Sequence, residues 1–350
     1  MAASDSRIPI VLVGLNFGRH IVEELSRDGG NPHVRLAGLC DLDRAKADAL
    51  AAQYGGLPVY ESLDAVLADP AIPAVGLYTG PRGRADLLST IIRAGKDVMT
   101  TKPFELDPQA GEAILKEARE LGRTIHLNSP NPGTNPNLAV IERWREQYDL
   151  GAPVGARADV WTHYREAADG SWQDDPETCP VAPVFRLGIY LINDMVRLFG
   201  RARRVNVFAT RLFTGRPTAD NGQLGIEFEN GALGNVFASF CVRDGDHYRN
   251  GLTLNYERGT VYRNVGPRRD GSACELAVVV NDGQWKTRRV AEQAGVEAGS
   301  GGYDWAGFAA AVRGDADAPV YEIDHVVEPL RVVAAMSASA KSGRAEAVER

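Results

Sequence analysis

Apolar residues in the first third of the chain fall into short runs separated by amphipathic stretches. Ile8–Val13, Val34–Cys40, Ala74–Tyr78, Asp97–Thr100 and Thr124–Asn128 read as strands. Phe17–Arg27, Arg44–Tyr54, Ala85–Ala94 and Pro108–Leu121 carry the helical period between them. This alternation predicts βαβ units, hence a doubly wound parallel sheet with helices on both faces. The near-continuous apolar character of the runs suits strands buried on both sides.

Beyond about residue 128 the rhythm changes. Pro130-Asn-Pro-Gly133 and Asn135-Pro136 are dense turn signals. One helix, Leu138–Gln147, precedes a run of strands: Val154–Tyr164, Arg203–Phe213, Gln223–Glu229, Ala232–Val242, Leu252–Glu257, Glu275–Val280 and Trp285–Val290. Turns such as Glu229-Asn230-Gly231 and Asn281-Asp-Gly283 separate several of them in hairpin fashion. Gln293–Gly302 reads as a loop, and helices near Tyr303–Arg313 and Asp324–Lys341 follow it. The chain therefore reads as an α/β domain over 1–128 and an α+β domain over 129–350, the second with a large, mostly antiparallel open sheet.

Composition narrows the function. A net charge of −7 argues against nucleic acid as a general partner, because phosphate binding relies on clustered Lys and Arg. The patches at Arg201, Arg203, Arg204 and at Arg268, Arg269 are short and read as solvated edges. No apolar run approaches membrane-spanning or signal-peptide length. Four widely spaced cysteines without a C-x-x-C pair suggest free thiols in a reduced, cytoplasmic setting and no metal site.

Three places carry chemistry. Strand Ile8–Val13 runs into Gly14-Leu15-Asn16-Phe17-Gly18 and then a helix, whose N-terminus offers N–H groups to a pyrophosphate. Asn16 stands where the fingerprint has a second glycine, and asparagine tolerates positive φ. Asp41 follows roughly 20 residues later and can accept the ribose hydroxyls of NAD, with an N-cap of the next helix as its plain alternative. Arg44 close by blunts the preference over NADP. Lys102, at the end of strand Asp97–Thr100 and before Pro103, is held extended where ligands meet an open sheet. Its ammonium could polarise a carbonyl or alkoxide; a solvated loop lysine is the plain alternative. In Gly188–Gly200, Tyr190, Asn193, Asp194 and Arg197 share one stripe of a helical projection, either a wet face or an acid/base group built around Tyr190.

These residues together resemble the glucose–fructose oxidoreductase / inositol dehydrogenase / MocA (Gfo/Idh/MocA) family along essentially the whole chain. The resemblance rests on the Gly14 loop, Cys40-Asp41-Leu42-Asp43, Ala94-Gly95-Lys96-Asp97-Val98, Thr101-Lys102-Pro103, Gly188-Ile189-Tyr190, Gly225–Gly231 and the closing helices. It implies a Rossmann domain binding NAD(P), an open-sheet domain through which homo-oligomers (dimers or tetramers) form, and hydride transfer on sugars, cyclitols and related polyols. Thr101-Lys102-Pro103 matches the family's Glu-Lys-Pro motif, whose lysine is catalytic. Tyr190 stands where many members carry histidine, as in branches with a proposed tyrosine acid/base, and Asn193 replaces the usual aspartate, with Asp194 adjacent. In Thr79-Gly80-Pro81-Arg82-Gly83-Arg84 the histidine of the T-P-x-x-x-H turn is absent.

The resemblance thus implies Gly14, Asn16, Phe17, Gly18, Asp41, Arg44, Thr79, Lys102 and Pro103 for the cofactor. For the chemistry it implies Lys102 and Tyr190 assisted by Asn193 or Asp194. Trp161, His163, Tyr164 and Arg186 are implied for the substrate, His163 also reading as a plain sheet histidine. Three other functions stay open: reduction of a C=N bond, suggested by the shortened Gly14 loop; a non-catalytic dinucleotide sensor, suggested by the missing histidines; and an NAD-assisted glycosidase.

Overall fold

The computed structural model describes residues 6–132, 135–244, 248–265, 274–281, 287–294 and 301–350. The chain divides into two compact units. In the first, β1 (Ile8–Val13), α1 (Leu15–Ser26), β2 (Val34–Cys40), α2 (Arg44–Gln53), α3 (Leu63–Ala68), β3 (Ala74–Leu77), α4 (Arg84–Arg93), β4 (Asp97–Thr100), α5 (Pro108–Glu120) and β5 (Ile125–Leu127) alternate as the pattern predicts. The five strands pair in parallel in the order β2-β1-β3-β4-β5. β3, β4 and β5 are buried at every position, which is what helices on both faces require of a sheet. The strand order reverses between β1 and β3, the place where such sheets open a ligand crevice. Helix α3 is too short for a periodic signal; its N-cap, Ser62, accepts from the Ala65 N–H.

The second unit contains α6 (Pro136–Gln147), β6 (Pro153–Trp161), α7 (Ile189–Phe199), β7 (Ala202–Thr210), β8 (Asn221–Phe228), β9 (Leu233–Ser239), β10 (Arg249–Tyr256), β11 (Gly259–Arg263), β12 (Cys274–Asn281) and β13 (Thr287–Ala294). After α8 (Trp305–Arg313), which belongs to the first unit, α9 (Ile323–Ser342) and β14 (Glu346–Ala347) complete it. The nine strands run β13-β12-β11-β10-β6-β9-β8-β7-β14, antiparallel throughout except for β6 beside β9. The strict alternation of buried and half-buried residues along β8 marks a sheet covered on one face.

Further details depart from the reading of the sequence. β11 is absent from it, because the two-residue connection Glu257-Arg258 lacks the usual turn residues and the glycine sits at 259 instead. The strand expected to reach Phe213 ends at Thr210, where buried Asp220 accepts the N–H groups of Leu212, Phe213 and Thr214 and folds the chain into a loop. A boundary at 128 also leaves Tyr303–Ile323 in the wrong unit. Trp305, Phe308 and Ala309 belong to the core beneath β1, and the Trp305 indole N–H donates to Glu24 at 2.8 Å. Arg268, Arg269, the 282–283 turn and most of the 293–302 loop lie outside the described residues.

The same core holds His126, 1% exposed on β5, edge-on to Phe308 with ring centroids 6.0 Å apart. Burial pushes its pKa down to about 4, opposed in part by Asp304. The folded chain therefore keeps His126 neutral while the unfolded chain protonates near pH 6.5. Its contribution is complete above about pH 6.5 and is lost as pH falls towards about 4, to a total of about 3 kcal/mol. Urea unfolding of His126→Leu should show a correspondingly flatter stability profile between those pH values than the parent chain. Parallel profiles would remove His126 from the acid sensitivity.

Candidate active site

β1 delivers the chain to Gly14 at φ 87°, a conformation that favours glycine. A Cβ there would also stand 3.0 Å from the Thr79 N and the Tyr78 carbonyl carbon, so β3 closes tightly over the turn. Helix α1 starts at once, and its N-cap, Gly14, offers no side chain to its N–H groups. Asn16 is helical, in the first turn of α1, because Gly14 alone makes the turn; the positive φ expected of Asn16 is not needed. Phe17 is 45% exposed, and its ring lies 6.1 Å from that of Tyr78. A Cβ on Gly18 would meet Tyr78 at ordinary contact distance.

Asp41, at the end of β2, turns back onto α1: one oxygen accepts the Leu15 N–H at 2.6 Å, the other the Asp43 N–H at 2.9 Å. Asp43, not Asp41, caps α2, since its side chain accepts from the Lys46 N–H. Arg44 points along its own helix to Asp48 at 2.8 Å, so it is not the cation beside Asp41. That cation is Lys46, whose ammonium donates to Asn16 Oδ1 at 2.8 Å and lies 3.7 Å from Asp41. The sequence reading missed Lys46; its place one turn into α2 was the available signal. Burial and then Asp41 push the neighbouring Cys40 thiol pKa up, which suits an inert thiol.

Residues that would hold a dinucleotide fit this end of the sheet. The glycine cradle lies against β3, the N-cap of α1 is a glycine with no capping side chain of its own, and Thr79 Oγ1 is buried there with no partner among the described residues. Lys102 follows β4, half-buried, with its N–H donating to Asn128 Oδ1 at 3.1 Å. Pro103 behind it is buried, and the peptide between them is trans, the cis bond being Ser129–Pro130.

In the second unit the stripe on α7 is interior rather than wet. Asn193 and Asp194 are both buried. Asp194 forms an ion pair of 2.7 Å with Arg263 on β11, which removes it from the groups free to exchange protons with a ligand. Burial pushes its carboxyl pKa up, with Arg263 and Arg197 acting against the shift. Arg197 itself bonds Glu142 at 2.9 Å. Tyr190 is half-buried, with the Gly301 backbone close against its hydroxyl: a Cβ on Gly301 would sit 2.9 Å from it. A π-helical turn, Val184–Gly188, leads directly into this helix.

Arg186 on that turn is committed to Glu166 through bonds of 2.7 and 3.0 Å, and its guanidinium lies over the rings of Tyr164 and Phe240. Tyr164 therefore packs as a wall; burial raises its pKa against the pull of Arg186. Trp161 ends β6 and donates to Asp244 at 2.9 Å. His163 is exposed beyond the end of β6, so it is not a sheet histidine. Tyr248, which the sequence reading missed, is a neighbour of Tyr190 and Tyr164; burial pushes its pKa well up. Tyr248 lies outside any periodic segment, so the sequence carries no signal for it.

Among the described residues no group of three or more His, Cys, Asp or Glu could hold a metal, and no helix is long and apolar enough to cross a membrane.

Comparison with known proteins agrees with the fold. The profile described as "Oxidoreductase family, NAD-binding Rossmann fold" matches residues 8–129, and the GFO/IDH/MocA C-terminal domain matches residues 139–262. An uncharacterized oxidoreductase of Schizosaccharomyces pombe is 30% identical over 159 residues, 44% of this chain and 41% of that protein. The chain thus matches less than half of that relative's length. D-xylose 1-dehydrogenase (NADP(+)) 2 of Haloferax volcanii is 25% identical over 61% of this chain and 64% of its own. Levoglucosan dehydrogenase, solved with NADH and L-sorbose, superposes with a TM-score of 0.73 over 98% of this chain and 99% of its own at 17% identity, a likeness of fold.

Proposed function

The chain belongs to the Gfo/Idh/MocA oxidoreductase family, and from that premise we propose that it moves hydride between NAD(P) and a hydroxyl or carbonyl carbon of a sugar, cyclitol or sugar derivative. One observation carries the reading. In the first unit, the glycine turn that opens α1 and the orphaned Thr79 hydroxyl share the carboxyl end of the sheet with a lysine held in place at the end of β4. The names of the D-xylose and levoglucosan dehydrogenases support the substrate class.

When bound, the nicotinamide supplies the hydride acceptor or donor. The backbone of Gly14, Asn16, Phe17 and Gly18 would hold the pyrophosphate, with Thr79 beside it. Asp41 would take the ribose hydroxyls with its remaining lone pairs, and Lys46 would offset its repulsion of a 2′-phosphate. Lys102 would hold and polarise the reacting oxygen, and Tyr190 would exchange its proton, with Asn193 as a neutral neighbour.

Fluorescence titration with NADH and NADPH, followed by a panel of sugars, cyclitols and cyclic imines read at the nicotinamide absorbance, tests this. At least one coenzyme should bind in the range of about 1 μM to about 1 mM, and at least one polyol should turn over. Reduction of an imine alone would move the chemistry to C=N. Binding with no turnover would leave a sensor, aglycone release without absorbance change a glycosidase, and no binding would end the proposal.

A further inference from the structure

Arg84 is the first residue of α4, directly after Gly83 at φ 65°. Side chains at a helix start lean back over the preceding turn, and this one is 2% exposed. A buried guanidinium is costly unless its donors are met. Here three bonds to backbone carbonyls meet most of them. Nη1 donates to the Thr101 carbonyl and to the Pro103 carbonyl, both at 2.8 Å, and Nη2 donates to the Thr79 carbonyl. Nε has no partner among the described residues. Burial lowers the Arg84 pKa to about 10, with Glu105 and Tyr303 opposing, so it keeps its charge at neutral pH.

The two carbonyls held by Nη1 flank Lys102 on either side. The Lys102 N–H is held from another direction by Asn128. Glu105, two residues past Pro103, accepts the Ala85 N–H at 2.8 Å and ties the far end of the segment to the same helix start. The Thr79 carbonyl brings the end of β3, which closes over Gly14, onto the same guanidinium. One cation therefore fixes the peptide planes around Lys102 and their offset from the glycine turn. Arg84 also stands at the sixth position of the turn that begins at Thr79, where the histidine is absent.

We propose that Arg84 is a positioning residue that acts through Lys102, setting the backbone from which its ammonium reaches the reacting oxygen. The proposal rests on the reading of Lys102 given above. Misplacement of a reacting group by an ångström can cost about a hundredfold in rate, so Arg84→Met should lower kcat about 10- to 100-fold while the NADH dissociation constant stays within about threefold. Arg84→Lys keeps the charge but loses the planar fork, and should remain at least about tenfold slow.

A double-mutant cycle separates this from a general structural role. If Arg84 works through Lys102, then Arg84→Met added to Lys102→Met should slow the enzyme no further. Hydrogen exchange in the NADH-bound full chain should quicken across residues 100–106 in both Arg84 variants and stay unchanged in the α1 core. Multiplicative losses in the cycle, full recovery by Arg84→Lys, or unchanged exchange at 100–106 would each overturn the proposal. Should Arg84→Met fail to fold, Arg84→Lys carries both readouts. Wild-type turnover in Lys102→Met alone would instead sink the underlying reading, and is distinguishable because the exchange result for Arg84 does not depend on it.

Discussion

Lys102→Met is expected to lower kcat about a thousandfold on whichever polyol the panel returns, with NADH affinity within about threefold of the parent chain. Methionine keeps most of the length and the apolar stem and removes only the ammonium. The lysine is half-buried, its N–H is bonded to Asn128 and the carbonyls on either side are held by Arg84, so the backbone has little freedom to compensate. Most of the groups expected to hold the dinucleotide lie on the Gly14 turn, at Thr79 and at Asp41, and these do not depend on that ammonium. Steady-state rates alongside fluorescence titration decide it. Turnover within about tenfold of wild type, with the cofactor still bound, would remove Lys102 from the reaction.

Asp194→Ala should act on stability instead, lowering it by about 3–5 kcal/mol, because it strands a buried charge. Asp194 is 4% exposed and Arg263 3%, and their ion pair of 2.7 Å joins α7 to the end of β11. The Arg263 guanidinium also donates to Asn250 at 3.1 Å. The two halves of the pair are not equivalent. Remove the arginine and the buried carboxyl can take a proton, the direction in which burial already pushes its pKa. Remove the carboxylate and the guanidinium cannot shed its charge. Asp194→Ala should therefore unfold at lower urea than Arg263→Ala. A variant that melts like the parent but turns over slowly would restore Asp194 to the chemistry.

The first unit was legible because its strands are buried on both faces. Ala74–Leu77 and Asp97–Thr100 have no solvent side, so the apolar runs are unbroken and the helices between them stand out. The Gly14 turn was legible for a similar reason: only glycine suits a φ of 87° with β3 3.0 Å away. Partnerships between distant residues were not. Nothing near Asp194 in sequence announces Arg263, nothing near Arg186 announces Glu166, and a stripe of polar residues looks the same whether it meets water or a buried cation. Lys46 escaped because Arg44 stands closer to Asp41 in sequence, while the helix directs Arg44 to Asp48. Arg84 was seen only as a missing histidine, since hydrogen bonds to backbone carbonyls leave no mark on the residues that accept them.

The packing of Trp305, Phe308 and Ala309 into the core beneath β1 has a bearing on biogenesis. Residues 134–302, the larger part of the second unit, separate that segment from the sheet it completes. Chains are built from the N-terminus, and domains usually fold in the order they emerge. Here the nucleotide-binding half is translated first yet waits for its last aromatic residues until all but the last strand of the large sheet has been made. Its closing contacts are long-range, the kind that slow folding and leave an unfinished core open to chaperones in the meantime.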